Sequence, residues 1–199
     1  MGLEAGDDRY ALWLEYLQLL GKWNRAYNLT AVRDPQQMVV RHLLDSLAVA
    51  PYLRGERLLD VGTGAGLPGV PLAILFPERS FHLLDSNGKK TRFLFQVKTA
   101  LGLANMTVHH RRVESYRPDE CFDAVLSRAF ASLQEMVAGC AHLLQPGGRF
   151  LAMKGAHPDA ELVAVGATWE VVNVIELMVP GLSEQRHLVE LAPRRQRPA

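Results

Sequence analysis

The run Leu58-Leu59-Asp60-Val61-Gly62-Thr63-Gly64-Ala65-Gly66-Leu67-Pro68-Gly69 carries the densest chemical information in this chain of 199 residues. An apolar stretch ends at the carboxylate of Asp60. Gly62, Gly64 and Gly66 then alternate, and an apolar segment runs from Val70 to Phe76. That order predicts a buried strand, a tight turn and a helix start. Glycine admits positive φ and lets a ligand approach the backbone closely. A helix start offers unpaired N–H groups and partial positive charge. Pro68 suits a first helical turn, where a missing N–H costs nothing.

Two ligand classes use such a turn. Gly64-x-Gly66-x-x-Gly69 satisfies the dinucleotide fingerprint, with acidic Asp85 about 20 residues on. Asp60-x-Gly62-x-Gly64-x-Gly66 resembles motif I of the class I S-adenosylmethionine-dependent methyltransferases. The dinucleotide register is the poorer fit, because it pushes Asp60, Gly62 and Thr63 into the strand, and glycine weakens a strand. A third reading is a tight turn that holds no ligand.

Composition bounds the answer further. The length suits one domain with a short appendage, and 48% apolar residues suffice for a core. A net charge of +1 gives no global nucleic-acid signature, so a polyanionic partner has to meet a local patch. Cys121 and Cys140 make neither a disulfide framework nor a metal cluster, and both are expected in the core. Glu4, Asp7 and Asp8 precede any apolar run, so no signal peptide is expected. No apolar run reaches membrane-spanning length. The expectation is a cytoplasmic monomer with no metal and no membrane contact.

These residues need elements to position them. Trp13, Tyr16, Leu17, Leu20, Trp23 and Tyr27 recur at helical spacing within residues 8–27. A second helix is expected over 35–53, with Asp34 as N-cap and Pro35 at the first helical position. Together they make an N-terminal helical cap, residues 1–55, ahead of a unit spanning 56–199. From residue 57 the pattern becomes βαβα. Strands are expected at 57–61, 81–85, 107–112, 122–127 and 149–153, and helices at 67–76, 88–101, 132–143 and 158–166. Two more strands fit 169–178 and 187–192. The fold class is α/β, a Rossmann-like parallel sheet covered on both faces. Arg194, Arg195 and Arg197 read as a frayed basic end.

Ligands of such sheets sit beyond the carboxyl ends of the strands. The first strand ends at Asp60 and the glycine turn. The second ends at Asp85-Ser86, where a carboxylate suits both ribose hydroxyls of a nucleoside or, alternatively, caps the next helix. The third ends near Arg112-Val113-Glu114, and Glu114 suits an exocyclic adenine amine or, alternatively, is a solvated surface charge. The fourth ends at Ser127-Arg128 and the fifth at Met153-Lys154-Gly155, which brings two cations to one rim. The alternative for Arg128 is a surface salt bridge. Lys89, Lys90 and Arg92 open the helix after Asp85, as phosphate contacts or as a solvated face. His109 and His110 point to opposite faces and make no metal pair. No Ser–His–Asp order and no zinc spacing is present.

At this point the chain resembles the bacterial methyltransferase family RsmG, also called GidB, along nearly its whole length. The resemblance rests on Tyr27-Asn28-Leu29-Thr30, on the segment from Arg41 to Leu47, and on Asp60 to Gly69. It continues in Leu84 to Lys90, Ser127 to Leu133, Met153-Lys154-Gly155 and Arg186 to Val189. The segments from Arg41 and from Ser127 are the most specific. The resemblance implies N7-methylation of one guanosine in 16S, small-subunit, ribosomal RNA, with S-adenosylmethionine as donor. It places Gly62 and Leu67 along the cofactor, Asp85 at the ribose, Val113 and Glu114 at the adenine end, and Arg128 against the cofactor or the incoming base. Asp60, Gly64, Gly66 and Ser86 complete the expected cofactor set. RNA contacts are expected from Arg128, Lys154, Lys89, Lys90 and Arg92, with Arg33 and Arg41 from the cap. A methyltransferase of a small molecule or protein, a dinucleotide-binding oxidoreductase and a non-catalytic nucleotide-binding module remain as rival readings.

Overall fold

Five parallel strands form the centre of the computed structural model, which describes residues 7–194 apart from Ala129, Ala131 and Ala167. They are β1 (Arg57–Val61), β2 (Ser80–Asp85), β3 (Met106–His110), β4 (Phe122–Ser127) and β5 (Leu144–Lys154). Two further strands, β6 (Trp169–Glu176) and β7 (His187–Pro193), complete a sheet of order β3-β2-β1-β4-β5-β7-β6. The last strand inserts between β5 and β6 and runs antiparallel to both. That order departs from the wholly parallel 3-2-1-4-5-6 arrangement of dinucleotide-binding sheets.

The two faces of the sheet carry separate cores. Leu58, Phe81, Leu83 and Leu126 pack on one side, and Leu59, Leu84, Val125 and Phe150 on the other. The alternation follows from the two-residue period of a strand. Helices α4 (Gly69–Leu75), α5 (Gly88–Leu101), α6 (Leu133–Cys140) and α7 (Asp159–Val165) cover them.

The cap begins with α1 (Arg9–Tyr27), which buries Trp13, Tyr16, Leu17 and Leu20 along one stripe. It stops at Asn28, whose backbone takes a left-handed turn at φ 49°. Cap and sheet share one apolar core, which contains both Tyr16 and Leu58. Two polar ties reinforce it. The Trp13 indole donates to the carbonyl of Pro71 (3.1 Å), and the Tyr16 hydroxyl donates to the carbonyl of Ala65 in the glycine turn (2.9 Å).

Several expected boundaries shift for local reasons. The helix over 35–53 is instead α2 (Pro35–Met38), a π-helical turn Val39–Leu44, α3 (Asp45–Leu47) and a 3-10 turn Ala50–Tyr52. Pro51 cannot continue an α-helix. Its start is as expected: Asp34 caps it by accepting from the Gln37 amide at 2.8 Å. Strand β3 ends at His110 rather than 112, before a 3-10 turn Val113–Ser115. Helix α4 starts at Gly69, two residues later than expected, after a turn in which the Gly66 and Leu67 amides both donate to the Thr63 carbonyl. Cys121 is exposed, whereas Cys140 is buried as expected. Arg194 is tied to the carbonyls of Trp169 and Gly166 rather than frayed. Arg195 and Arg197 lie outside the described residues.

Removing only the hydroxyl in Tyr16→Phe leaves the buried carbonyl of Ala65 without its donor. Stability should fall by about 1–3 kcal/mol. Urea unfolding should show a lower midpoint at unchanged slope, and an unchanged midpoint would remove this tie from the account.

Candidate functional site

The glycine turn is held by two carboxylates from adjacent strand ends. Asp60, fully buried at the end of β1, accepts from the Thr63 hydroxyl (2.6 Å) and the Gly69 amide (2.9 Å) through the same oxygen. Its other oxygen, Oδ1, is buried with no partner. Asp85 accepts from the Gly64 amide at 2.9 Å and the Asn87 amide at 2.8 Å. The cap of α5 is Asn87, which accepts from the Lys89 amide, so Asp85 is not that cap.

The glycines divide by what surrounds them. Gly62, Gly64 and Gly66 all have positive φ, at 66°, 62° and 93°. A Cβ on Gly66 would meet Val70 at 2.4 Å, so that glycine serves internal packing. A Cβ on Gly64 would meet nothing closer than 3.9 Å, so that side of the turn is open. Leu67 is buried behind the turn.

Beside the turn lies a pocket of about 160 Å³ lined by Gly62, Asp85, Ser86, Val113, Glu114 and Phe130. Five of the expected cofactor residues therefore meet in one place. Phe130 adds an aromatic ring that sequence reasoning did not assign, although it lies inside the segment from Ser127 that carried the resemblance. Arg111 and Arg112 also reach this pocket.

A second pocket, about 390 Å³, gathers Arg41, Arg128, Lys154 and Arg186 around His42 and Asp45. It is the meeting point of the β4 and β5 ends with the cap. Asp45 is nearly fully buried, and each of its oxygens takes one guanidinium: Arg128 Nη1 at 3.0 Å and Arg186 Nε at 3.0 Å. Arg128 also donates to the carbonyl of Arg41 at 3.2 Å. The Arg128 guanidinium stands at the rim, as expected, and is moored there to the cap, which is the salt-bridge alternative. Lys154 likewise pairs with Glu161 at 2.8 Å, and Arg41 pairs with Glu184. Four cations against these three carboxylates leave one positive charge in excess.

Not every expected RNA contact joins this pocket. Lys89 and Arg92 are exposed on α5 and line neither pocket. Lys90 lies 3.8 Å from Asp85 and lines neither pocket. Arg33 lines a separate cleft in the cap. In the sequence, Asp45 and Arg186 stand out only as members of the segments that carry the family resemblance. Their pairing spans 141 residues, which no local pattern reveals.

A family model described as "GidB: rRNA small subunit methyltransferase G" matches residues 9–189. The chain belongs to this family. A ribosomal RNA small subunit methyltransferase G of Cellvibrio japonicus is 55% identical, over 98% of this chain and 91% of that protein. One of Ectopseudomonas mendocina is 56% identical, over 96% of this chain and 90% of that protein. Among solved structures, the glycopeptide N-methyltransferase MtfA complexed with S-adenosyl-L-homocysteine matches with a TM-score of 0.64 at 13% identity. That match covers 76% of this chain and 90% of the other. A Geobacter sulfurreducens S-adenosylmethionine-dependent methyltransferase matches at 0.58 and 15% identity, over 89% of this chain and 98% of the other. The fold is the Rossmann-like class I methyltransferase sheet with an N-terminal helical cap. This member of the GidB family is an S-adenosylmethionine-dependent methyltransferase of ribosomal RNA. The oxidoreductase reading and the non-catalytic reading end here.

Burial raises Asp60 from 3.8 to about 6, while Thr63 and the Gly69 amide pull it back down. A raised carboxylate contributes stability that is full below about pH 4 and is lost as pH rises through about 6. The GidB-family protein therefore carries the cost of this charge at neutral pH. Asp60→Asn should gain on the wild type between pH 4 and pH 7 by up to about 3 kcal/mol. Melting both proteins across that range checks this, and a pH-independent difference contradicts it.

Proposed function

We propose that this chain transfers a methyl group from S-adenosylmethionine to N7 of one guanosine in 16S ribosomal RNA, as a cytoplasmic monomer that uses no metal. The observation that carries this reading is the pair of pockets on one carboxyl edge of the sheet. One is lined by nucleoside-binding residue types, and the other carries excess positive charge. No helix among the described residues is long and apolar enough to cross a membrane, and no group of three metal-ligating side chains is found there.

The residues beside the glycine turn fit the donor. Gly64 opens on a space that a side chain would fill. Asp85 is placed to take ribose hydroxyls while it braces the Gly64 amide. Val113, Glu114 and Phe130 surround space for a flat heterocycle, with Ser86 and Gly62 at its edge. Asp60, Gly66 and Leu67 shape the turn from behind rather than touch the ligand. When bound, the donor supplies a sulfonium methyl: the N7 lone pair forms the new C–N bond and the electrons of the breaking S–C bond return to sulfur.

Guanine N7 has no proton to lose, so the reaction needs no general base and no covalent enzyme intermediate. This fits a site whose only arranged groups bind and orient. The chain's work is to align N7 and the methyl carbon in a desolvated site. N7 also lies in the deep groove of an A-form duplex, which side chains cannot read. The target is then a loop nucleotide or a base drawn from its stack. In this reading the cap, residues 1–55, is the RNA-facing addition to the catalytic unit, residues 56–199. Arg128, Lys154 and Arg41 serve the target nucleotide, and Lys89, Lys90, Arg92 and Arg33 serve more distant phosphates. Mapping methylated guanosines by mass in small-subunit RNA from cells with and without the protein tests the assignment. One N7-methylguanosine should vanish with the protein, and an unchanged map would refute it.

Two variants test the donor pocket. Asp85→Ala loses charged hydrogen bonds worth roughly 1.5–3 kcal/mol each, so donor affinity should fall about tenfold or more. Gly64→Val should abolish binding by filling the open side of the turn. Calorimetry with S-adenosylhomocysteine reads both, and wild-type affinity in both would move the donor elsewhere.

The cations separate binding from turnover. Lys154→Ala should weaken RNA binding and lower the salt slope by about 0.7–0.9, the share of one phosphate contact. Arg128→Ala should cost more in single-turnover rate than in RNA affinity, since Arg128 bridges the β4 end and the cap at the target. Equal rates and slopes in wild type and both variants would place neither cation at the site.

A further inference from the structure

The cap contains a cleft of about 620 Å³ that the chemistry above does not use. Its walls are α1 and the start of the second helical segment. Leu14, Leu17, Pro35 and Met38 give it an apolar floor. Lys22, Arg25 and Arg33 stand around it, and no carboxylate is among its lining residues. Gly21 sits in the middle of that wall, inside α1. Glycine is a poor helix former, and a Cβ there would meet nothing within 4 Å. Packing therefore does not require this glycine, and it leaves the cleft wide.

The cleft adjoins the cationic pocket through one stretch of chain. Val32 and Arg41 line the cationic pocket, while Arg33 and Val39 line the cleft. A strand of RNA whose target nucleotide enters the first would run past the second. An apolar floor ringed by cations matches the chemistry of a single-stranded nucleotide, a flat base joined to a phosphate. A cleft of a few hundred Å³ is of the size that holds one small planar ligand.

We propose that this cleft seats a base of the substrate RNA adjoining the target guanosine, with its phosphates on Lys22, Arg25 and Arg33. The proposal rests on the reading that ribosomal RNA enters the neighbouring cationic pocket. It makes the cap a second point of RNA recognition, which contributes to the choice of site.

Gly21→Leu fills the cleft and favours the helix, so the variant should melt no lower than wild type. Its affinity for deproteinised small-subunit RNA should fall at least about fivefold, the loss of roughly 40 Å² of buried apolar contact between the base and the aliphatic floor. Its affinity for S-adenosylhomocysteine should not change. The double variant Arg25→Gln/Arg33→Gln should lower the salt slope for the same RNA by about 1.4, two single-strand contacts. Wild-type affinity in Gly21→Leu, beside a wild type that methylates the RNA, overturns the cleft proposal alone. A loss seen with assembled subunits but not with deproteinised RNA also overturns it, because a ribosomal protein segment then fills the cleft. A wild type that binds donor yet methylates neither form of the RNA overturns the functional reading, and the cleft proposal with it.

Discussion

Asp60 carries a carboxylate into the apolar end of the central strand, and the turn that follows is built around it. One oxygen collects the Thr63 hydroxyl and the Gly69 amide, fixing where the glycine turn closes and where α4 begins. Asp85 holds the same turn from the next strand through the Gly64 amide. A buried charge is costly unless it is hydrogen-bonded. Here the cost holds three positive-φ glycines in one arrangement. Gly69 has no room for a side chain because a Cβ would meet that Asp60 oxygen at 2.8 Å. The turn is open at Gly64 and closed at Gly66, where Val70 and Leu94 fill the space.

The cap is joined to this turn and to a neighbouring strand end. Tyr16 reaches the Ala65 carbonyl inside the turn, and Asp45 binds Arg128 at the end of β4. Asp45 also takes Arg186, which lies just before β7, so one carboxylate links the cap to both halves of the sheet edge. Removing one partner of such a buried set strands the others, which is why these contacts position rather than merely decorate. The glycine turn and the cationic pocket are thus mechanically continuous through the cap.

Much of this was legible in the residue pattern. The strands β1, β2 and β4 announced themselves as short apolar runs, and the glycine turn by its spacing. Asp85, Val113 and Glu114 followed from asking what lies at strand ends, and they do share one pocket. The π-helical turn before Asp45 was not legible, because it depends on packing rather than on propensity. Nor was the insertion of β7 between β5 and β6, since strand order is not a local property. Cation type was readable at Arg128 and Lys154, but their partners Asp45 and Glu161 come from separate elements. The ring of Phe130 sits in a segment where only resemblance, not spacing, pointed to a site.

The central claim is that the pocket beside the glycine turn holds the methyl donor with its reactive end toward the cationic pocket. A crystal structure with S-adenosylhomocysteine tests it most directly. The ribose hydroxyls are expected on Asp85, the adenine between Val113, Glu114 and Phe130, and the sulfur pointing toward Arg128. Adenine bound away from Glu114, or a sulfur facing away from the Arg128 edge, would contradict it.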